Sequence, residues 1–498
     1  MRTLQLSLVS ILGGLSLACP GEVATPADTD AAGTDTGASH SDTGASVSGT
    51  GAPTTGDLGE STEPDGGSTA NLDSGDTESS SAGSSSSAGS SSGSGEALVC
   101  GDGQKDPGEA CDDGNDVESD GCLATCEFGP GAVIEHKPLP PPGVEEEMRC
   151  FTAIDQQQLP GDEHALVFGS IVVQAGPEGQ RAARVQQLRL PGLAAAEWSY
   201  LEWAGVYGRM ANRMVTAANG DIIVAGVVYT EQVKVDTGGY LWLARFTPGG
   251  QVVWSEDFPQ HDISPADLEL APDGDIVLVG SFIGFGFYTA VMRFHDDGQL
   301  VWEHGEPPKF SGSYSGLALD DDGNIYTLAS HSVADSEVTA IRLQALTGDG
   351  TVLWEQVHAP LDAVRVTPGD LVWTSDDRLV ASVSRYDPNT IMPAEQLALA
   401  AFDTAGDKLW WKNWGTGAQN GLGVHRLLAN DDGSVHAIGW QYELDTWNAT
   451  AALATRFDAT GAPVWWHLTP GVIPRDALHG PDGLLYVLSK DAVLVHLP

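Results

Sequence analysis

The stretch "FHDDGQLVW" runs from Phe294 to Trp302, and close copies stand at 246–254 ("FTPGGQVVW"), 346–354 ("LTGDGTVLW"), 402–410 ("FDTAGDKLW") and 457–465 ("FDATGAPVW"). Each copy has an apolar residue, a Gly four positions on and a Trp four positions after that. Spacings of 48 to 56 residues between the tryptophans mark an internal repeat, and repeats of this length signal a propeller or a solenoid. A second motif keeps step with the first: "AANGDIIVAG", "APDGDIVLVG", "LDDDGNIYTLA", "TSDDRLVASV", "ANDDGSVHAIG" and "GPDGLLYVLS", with a degenerate first copy, "LPGDEHALVFG". Each is an Asp/Asn/Gly turn followed by an apolar, β-rich run, the signature of a hairpin. A third run lies between the two motifs ("LWLARF", "AVMRF", "VTAIRL", "LALAAF", "ALATRF").

One unit therefore reads as four strands. Strands one and two flank the Asp-Gly turn, strand three ends at the Phe, and strand four carries the Trp. The Gly of the Phe-x-x-x-Gly segment supplies a positive φ to the turn between strands three and four. Small sheets repeated about an axis predict an all-β fold, a seven-bladed β-propeller over residues 129–498. The last unit runs out after strand three. "GAVIEHKPL" (131–139) is a spare strand ahead of the first blade, and we expect it to complete the seventh. Glu135 takes the Trp register there. The repeats resemble bacterial β-propeller repeat families. "FDTAGDKLWW" and "FDATGAPVWW" are also similar to the Trp-docking repeats of quinoprotein (PQQ) dehydrogenases and of outer-membrane assembly propellers. That likeness implies a way of packing blades.

The chain ahead of the propeller has a different composition. Residues 1–18 read as an export signal: Arg2 is followed by an apolar run, Leu4 to Leu17, too short for a permanent membrane span. It ends "LSLAC", which resembles a bacterial lipobox and implies lipidation of Cys19. Ser16-x-Ala18 fits ordinary cleavage and secretion as well. Residues 19–98 are almost wholly Ser, Gly, Thr, Ala, Asp and Glu. Such a stretch cannot bury enough apolar surface to order itself, and it predicts a tether with a reach of roughly 50 Å.

Residues 99–128 hold Cys100, Cys111, Cys122 and Cys126. In an exported chain this density predicts disulfides, with three pairings open. The run "CGDG…GEACDDGN…DGC…C" resembles the myxobacterial cysteine-rich repeat of surface lipoproteins. The resemblance implies a surface-exposed bacterial protein, outer-membrane-anchored or extracellular. Cys150 either completes this module or stands as a lone thiol. Asp116, Glu118, Asp120 and Glu127, with Gly121, approximate the spacing of a calcium loop. The competing reading is a set of Asp-Gly turns between disulfides.

The formal net charge of −46 argues against nucleic acid as a partner, since phosphate binding needs clustered Lys and Arg. No His-Glu-x-x-His, P-loop or Cys-x-x-Cys-His motif occurs. A Gly-x-Ser-x-Gly match at 89–93 sits in the Ser-rich tether, without the strand-to-helix turn that exposes a nucleophile. One constellation follows from the repeat register. Seven residues before each turn Gly, or its aligned Asp377, stand Arg213, Asp267, Gly316, Asp370, Arg426 and Asp476. These residues open the innermost strands. They are expected to ring one mouth of the central channel, where a polar ligand or a cation could bind. The sequence thus points to a non-enzymatic surface lipoprotein whose propeller binds protein or glycan. The alternatives are a PQQ-dependent oxidoreductase and a polysaccharide-degrading enzyme.

Overall fold

The computed structural model describes residues 109–111, 122–123, 125–139 and, apart from loop segments, 146–498. The proposed signal and Cys19, the tether, Cys100 and the acids Asp116, Glu118 and Asp120 lie outside the described residues. Seven four-stranded antiparallel sheets make up the rest. Blade 1 is β2–β5 (146–203), blade 2 β6–β9 (209–258), blade 3 β10–β13 (263–306) and blade 4 β14–β17 (314–358). Blade 5 is β18–β21 (365–414), blade 6 β22–β25 (420–470), and blade 7 β26–β28 (474–496) with β1 (Val133–Pro138) as its fourth strand.

Turn chemistry sets each hairpin. Gly220, Gly274, Gly323, Gly433 and Gly483 occupy the left-handed region in the turn between strands one and two. Blade 5 has Asp377 there, at φ 60°, a conformation that Asp tolerates better than most side chains. In each later turn, between strands three and four, the Gly has a second role. Trp302 of blade 3 lies against Gly350 of blade 4, where an added Cβ would come within 2.9 Å of the indole. Trp254 meets Gly298, Trp354 meets Gly406 and Trp410 meets Gly461 in the same way. The Gly and Trp of one motif copy thus serve opposite neighbours. Their indole N–H groups donate to the next turn as well, Trp254 to Asp296 O at 3.0 Å and Trp302 to Gly348 O at 3.0 Å. Arg245 and Arg293 donate to the same two carbonyls at 2.8 Å.

Trp198 extends the series to blade 1 and rests on Gly250. The nonapeptide pattern does not reveal it, because the first copy is degenerate. At the other end Trp465 rests on Gly131, just ahead of β1. The spare strand does close the ring: β1 pairs with β28 (Ala492–His496), and Glu135 faces Val495 where other blades place Trp. The seam between blades 7 and 1 is held instead by an apolar cluster that includes Leu139, Ile154, Phe168, Leu488 and Val493.

Ahead of the propeller, Cys111 and Cys122 form a disulfide. Cys126 Sγ lies 3.1 Å from Glu109 Oε1. Glu127 is exposed, and its backbone carbonyl accepts from Leu123 N–H at 2.9 Å. Cys150 lies in β2, with its backbone opposite Ile171.

Candidate functional site

All seven innermost strands share one irregularity. Their pairing slips just before residues 153, 213, 267, 316 and 426, across Asp370 in blade 5, and just before Asp476. A bulge adds a residue to one strand and re-aims the side chains beside it. Here it directs the ring residues inward, part-way along each strand. Asp267, Asp370 and Asp476 are buried rather than arrayed at an open mouth.

Each of these aspartates bridges two blades. Asp267 accepts from its own neighbour Leu268 N–H (3.0 Å) and from Leu317 N–H of blade 4 (3.1 Å). Asp370 accepts from Leu371 (2.9 Å) and from Leu427 of blade 6 (2.7 Å). Asp476 accepts from Ala477 (2.9 Å) and, across the closing seam, from Ile154 of blade 1 (3.1 Å). The acids belong to odd-numbered blades, and each fastens the next, even-numbered blade or blade 1.

Arg426 of blade 6 ties three of them together. Its guanidinium lies 3.5 Å from Asp267, 3.9 Å from Asp370 and 3.5 Å from Asp476. Blades 6 and 3 are not neighbours, so the contact with Asp267 carries this group across the axis. Burial works against its charge, but Asp476, Asp370, Asp267 and Glu269 outweigh burial and hold its pKa above the usual value. Arg213 donates to Asn212 O at 3.0 Å, and its charge also acts on Asp267. Gly316 contributes no side chain. The structure therefore joins Arg426 to three of the ring acids, with Arg213 beside them.

Two further acids belong to the same system. Glu269 and Asp155 lie two residues beyond ring positions 267 and 153, on the same strand face. Glu269 is held well above the usual carboxylate range, first by burial and then by Asp267. Asp155 accepts from Gln156 N–H (2.7 Å) and from Thr216 N–H of blade 2 (2.5 Å), and burial pushes its pKa up to about 6. Period-two spacing from the ring would have found Glu269. Asp155 was hidden because the turn of blade 1 is irregular. His425, at the bulge of blade 6, stacks on Trp440 at 4.9 Å and is pushed down to about 3 by burial and then by Arg213, so it is neutral.

A cavity of about 280 Å³ opens on this system across blades 3 to 6. Glu269, Leu319, Trp373, Arg426 and Leu428 line it. A tricarboxylate such as PQQ does not fit these walls, because they offer a single guanidinium, Arg426, which three carboxylates already engage. Among the described residues no group of three or more His, Cys, Asp or Glu side chains is placed to hold a metal ion.

No known protein family matches the chain, and no curated protein matches it. Solved structures share the architecture. An ulvan lyase from a polysaccharide lyase family is 9% identical with a TM-score of 0.43, over 73% of this chain and 94% of that one. The β-propeller domain of the Trilobed protease from Pyrococcus furiosus is 11% identical with a TM-score of 0.41, over 70% and 91%. An α-L-arabinanase from Penicillium chrysogenum, complexed with arabinobiose, is 10% identical with a TM-score of 0.40, over 66% and 98%. At these identities the likeness is one of fold.

Proposed function

We propose that the protein is an exported binding protein of a bacterial surface, attached through a lipid on Cys19. Residues 19–98 act as its tether, and the propeller recognises a protein or a glycan. One observation carries the non-enzymatic part of this reading. Asp267, Asp370 and Asp476 each use one carboxylate oxygen on a backbone N–H of their own blade and the other on a backbone N–H of the adjoining blade. General acid–base catalysis needs a carboxyl group within reach of a substrate proton. These acids are committed to holding the ring together. The attachment rests on the lipobox-like "LSLAC" and on the polar segment that follows it.

Two measurements test the proposal. The mature protein, passed over immobilised polysaccharides and envelope proteins, is expected to be retained by one class without generating reducing ends or unsaturated uronates. Sustained product release would replace binding by polysaccharide cleavage, and dye reduction after loading with PQQ and calcium would replace it by oxidation. In a host that processes lipoproteins, labelled palmitate is expected to enter the wild-type chain and not Cys19→Ala. Equal labelling of both would overturn the anchor.

A further inference from the structure

The motif copies of blades 5 and 6 end in a second Trp, "KLWW" (408–411) and "PVWW" (463–466), where blades 3 and 4 have Glu303 and Glu355. Successive side chains of a strand point to opposite faces, so the second indole faces away from the docking one. Trp466 of β25 (Pro463–Pro470) thus faces blade 5, and its ring meets Trp414 of β21 (Lys408–Trp414) at 6.3 Å with 60° between the planes. Lys412 stands between Trp414 and the docking Trp410, and its stem and Trp410 both lie against Gly461 of blade 6. Blade 2 has Glu256 in that register. The rim of the seam between blades 5 and 6 therefore carries three half-buried indoles and one exposed ammonium.

These groups are donors without acceptors. Trp198, Trp254, Trp302 and Trp354 give their N–H to a carbonyl of the next blade. Trp410 is the exception, since Arg378 donates to Ala459 O in the turn where Trp410 rests. Among the described residues the N–H groups of Trp410, Trp414 and Trp466 have no acceptor and Lys412 has no carboxylate partner; unlike the N–H of Trp465, those three are open to solvent. Asp458 of the adjoining turn accepts from Thr460 and Ala462 within its own loop. A ligand for this surface needs oxygen acceptors, a flat C–H face for the indoles and a negative charge for the ammonium. A uronic acid in a glycan combines the three: hydroxyls that rotate to accept, axial C–H groups on one face of the ring, and a carboxylate. An acidic peptide carries the charge but no such face. The net charge of −46 does not oppose this at close range, since charges beyond roughly 8 Å are screened at physiological salt. We propose that the seam between the outer strands of blades 5 and 6 binds a uronate-bearing glycan, with Trp414 and Trp466 stacked on its sugars and Lys412 paired with its carboxylate. This rests on the glycan arm of the function proposed above and assigns its place and its chemistry.

Isothermal titration of the full chain at physiological salt tests the proposal. The probes are trisaccharides of galacturonate, glucuronate, mannuronate and guluronate, each beside its neutral methyl ester, with triglutamate as the peptide control. Saturable binding of at least one acid is expected, with weaker binding of its ester and of triglutamate. Lys412→Gln, a change at an exposed side chain, should weaken the acid about two- to fivefold and leave the ester unchanged. Trp466→Ala should weaken both about tenfold. Trp411→Ala removes the equivalent indole from the seam of blades 4 and 5 and should leave affinity unchanged. No saturation by any acid, equal binding of an acid and its ester, equal or tighter binding of triglutamate, wild-type affinity in Lys412→Gln or Trp466→Ala, or equal losses in Trp466→Ala and Trp411→Ala would each overturn it. Retention of a different glycan or of a protein, unaltered in these variants, would overturn this site and leave the binding function standing, whereas no retained partner at all would overturn both.

Discussion

Gly350 and Trp302 come from different motif copies and meet across a blade boundary. Gly350 stands at φ 85° and has no room for a Cβ beside the indole. Gly350→Ala combines backbone strain with a clash, and it should destabilise the protein by roughly 2–3 kcal/mol in urea unfolding. Trp302→Ala should cost about 2–3 kcal/mol, since the indole is only partly buried. Asp155 offers a different measurement. Its pKa rises from 3.8 in the unfolded chain to about 6 in the fold. The folded form therefore holds the proton more tightly, and this contribution to stability is complete below pH 3.8 and lost as pH rises through about 6. Urea midpoints of the wild type and Asp155→Asn, compared between pH 4 and 7, should diverge by about 2–3 kcal/mol, with the wild type losing more. Parallel curves would show that the Asp155 carboxyl titrates normally.

At the scale of the strand, one device recurs at both edges of the blade. The inner strands bulge at the ring position, and the outer strands bulge just before the Trp. In the outer strands the displaced residues are Val253, Val301, Leu353, Leu409 and Val464, which face solvent. Leu353 is 52% exposed, so Leu353→Ser should change stability by less than about 0.5 kcal/mol. β1 has the same bulge, between Val133 and Glu135, but presents a different side chain after it. It covers the edge of β28, its outward Glu135 pairs with Lys137 at 2.5 Å, and the seam it closes has no docking indole. Removing residues 131–139 should expose that edge, lower the thermal midpoint and promote association, both visible by calorimetry and size-exclusion chromatography. An unchanged midpoint with a monomeric profile would mean that blade 7 is stable with three strands.

For the whole molecule, Arg426 is the joint that connects blades 3, 5, 6 and 7. Arg426→Met leaves three buried carboxylates without their cation and should cost about 3–5 kcal/mol at neutral pH. The loss should shrink on acidification, because protonated carboxyls need no counter-charge. A pH-independent loss in urea titrations would assign Arg426 a packing role alone. The net charge of −46 acts at a longer range and opposes self-association.

The blade number, the strand order within a blade, the Asp at a turn position and the borrowed closing strand were all legible in the repeats. Each depends on local chemistry: a positive φ, an alternating pattern, or an apolar residue at a fixed interval. The ring Arg213, Asp267, Asp370, Arg426 and Asp476 was legible as a set of aligned positions, since register alone brings equivalent residues to the axis. Its character was not. The bulges turn the aspartates into buried inter-blade acceptors, and no propensity in a single strand encodes how far its neighbour's amides lie. Glu269 and Trp373 share a cavity only because blades 3 and 5 converge on the axis. The repeat determined which residues are equivalent, and the closed ring decided which of them meet, because distances across an axis are set by all seven blades together.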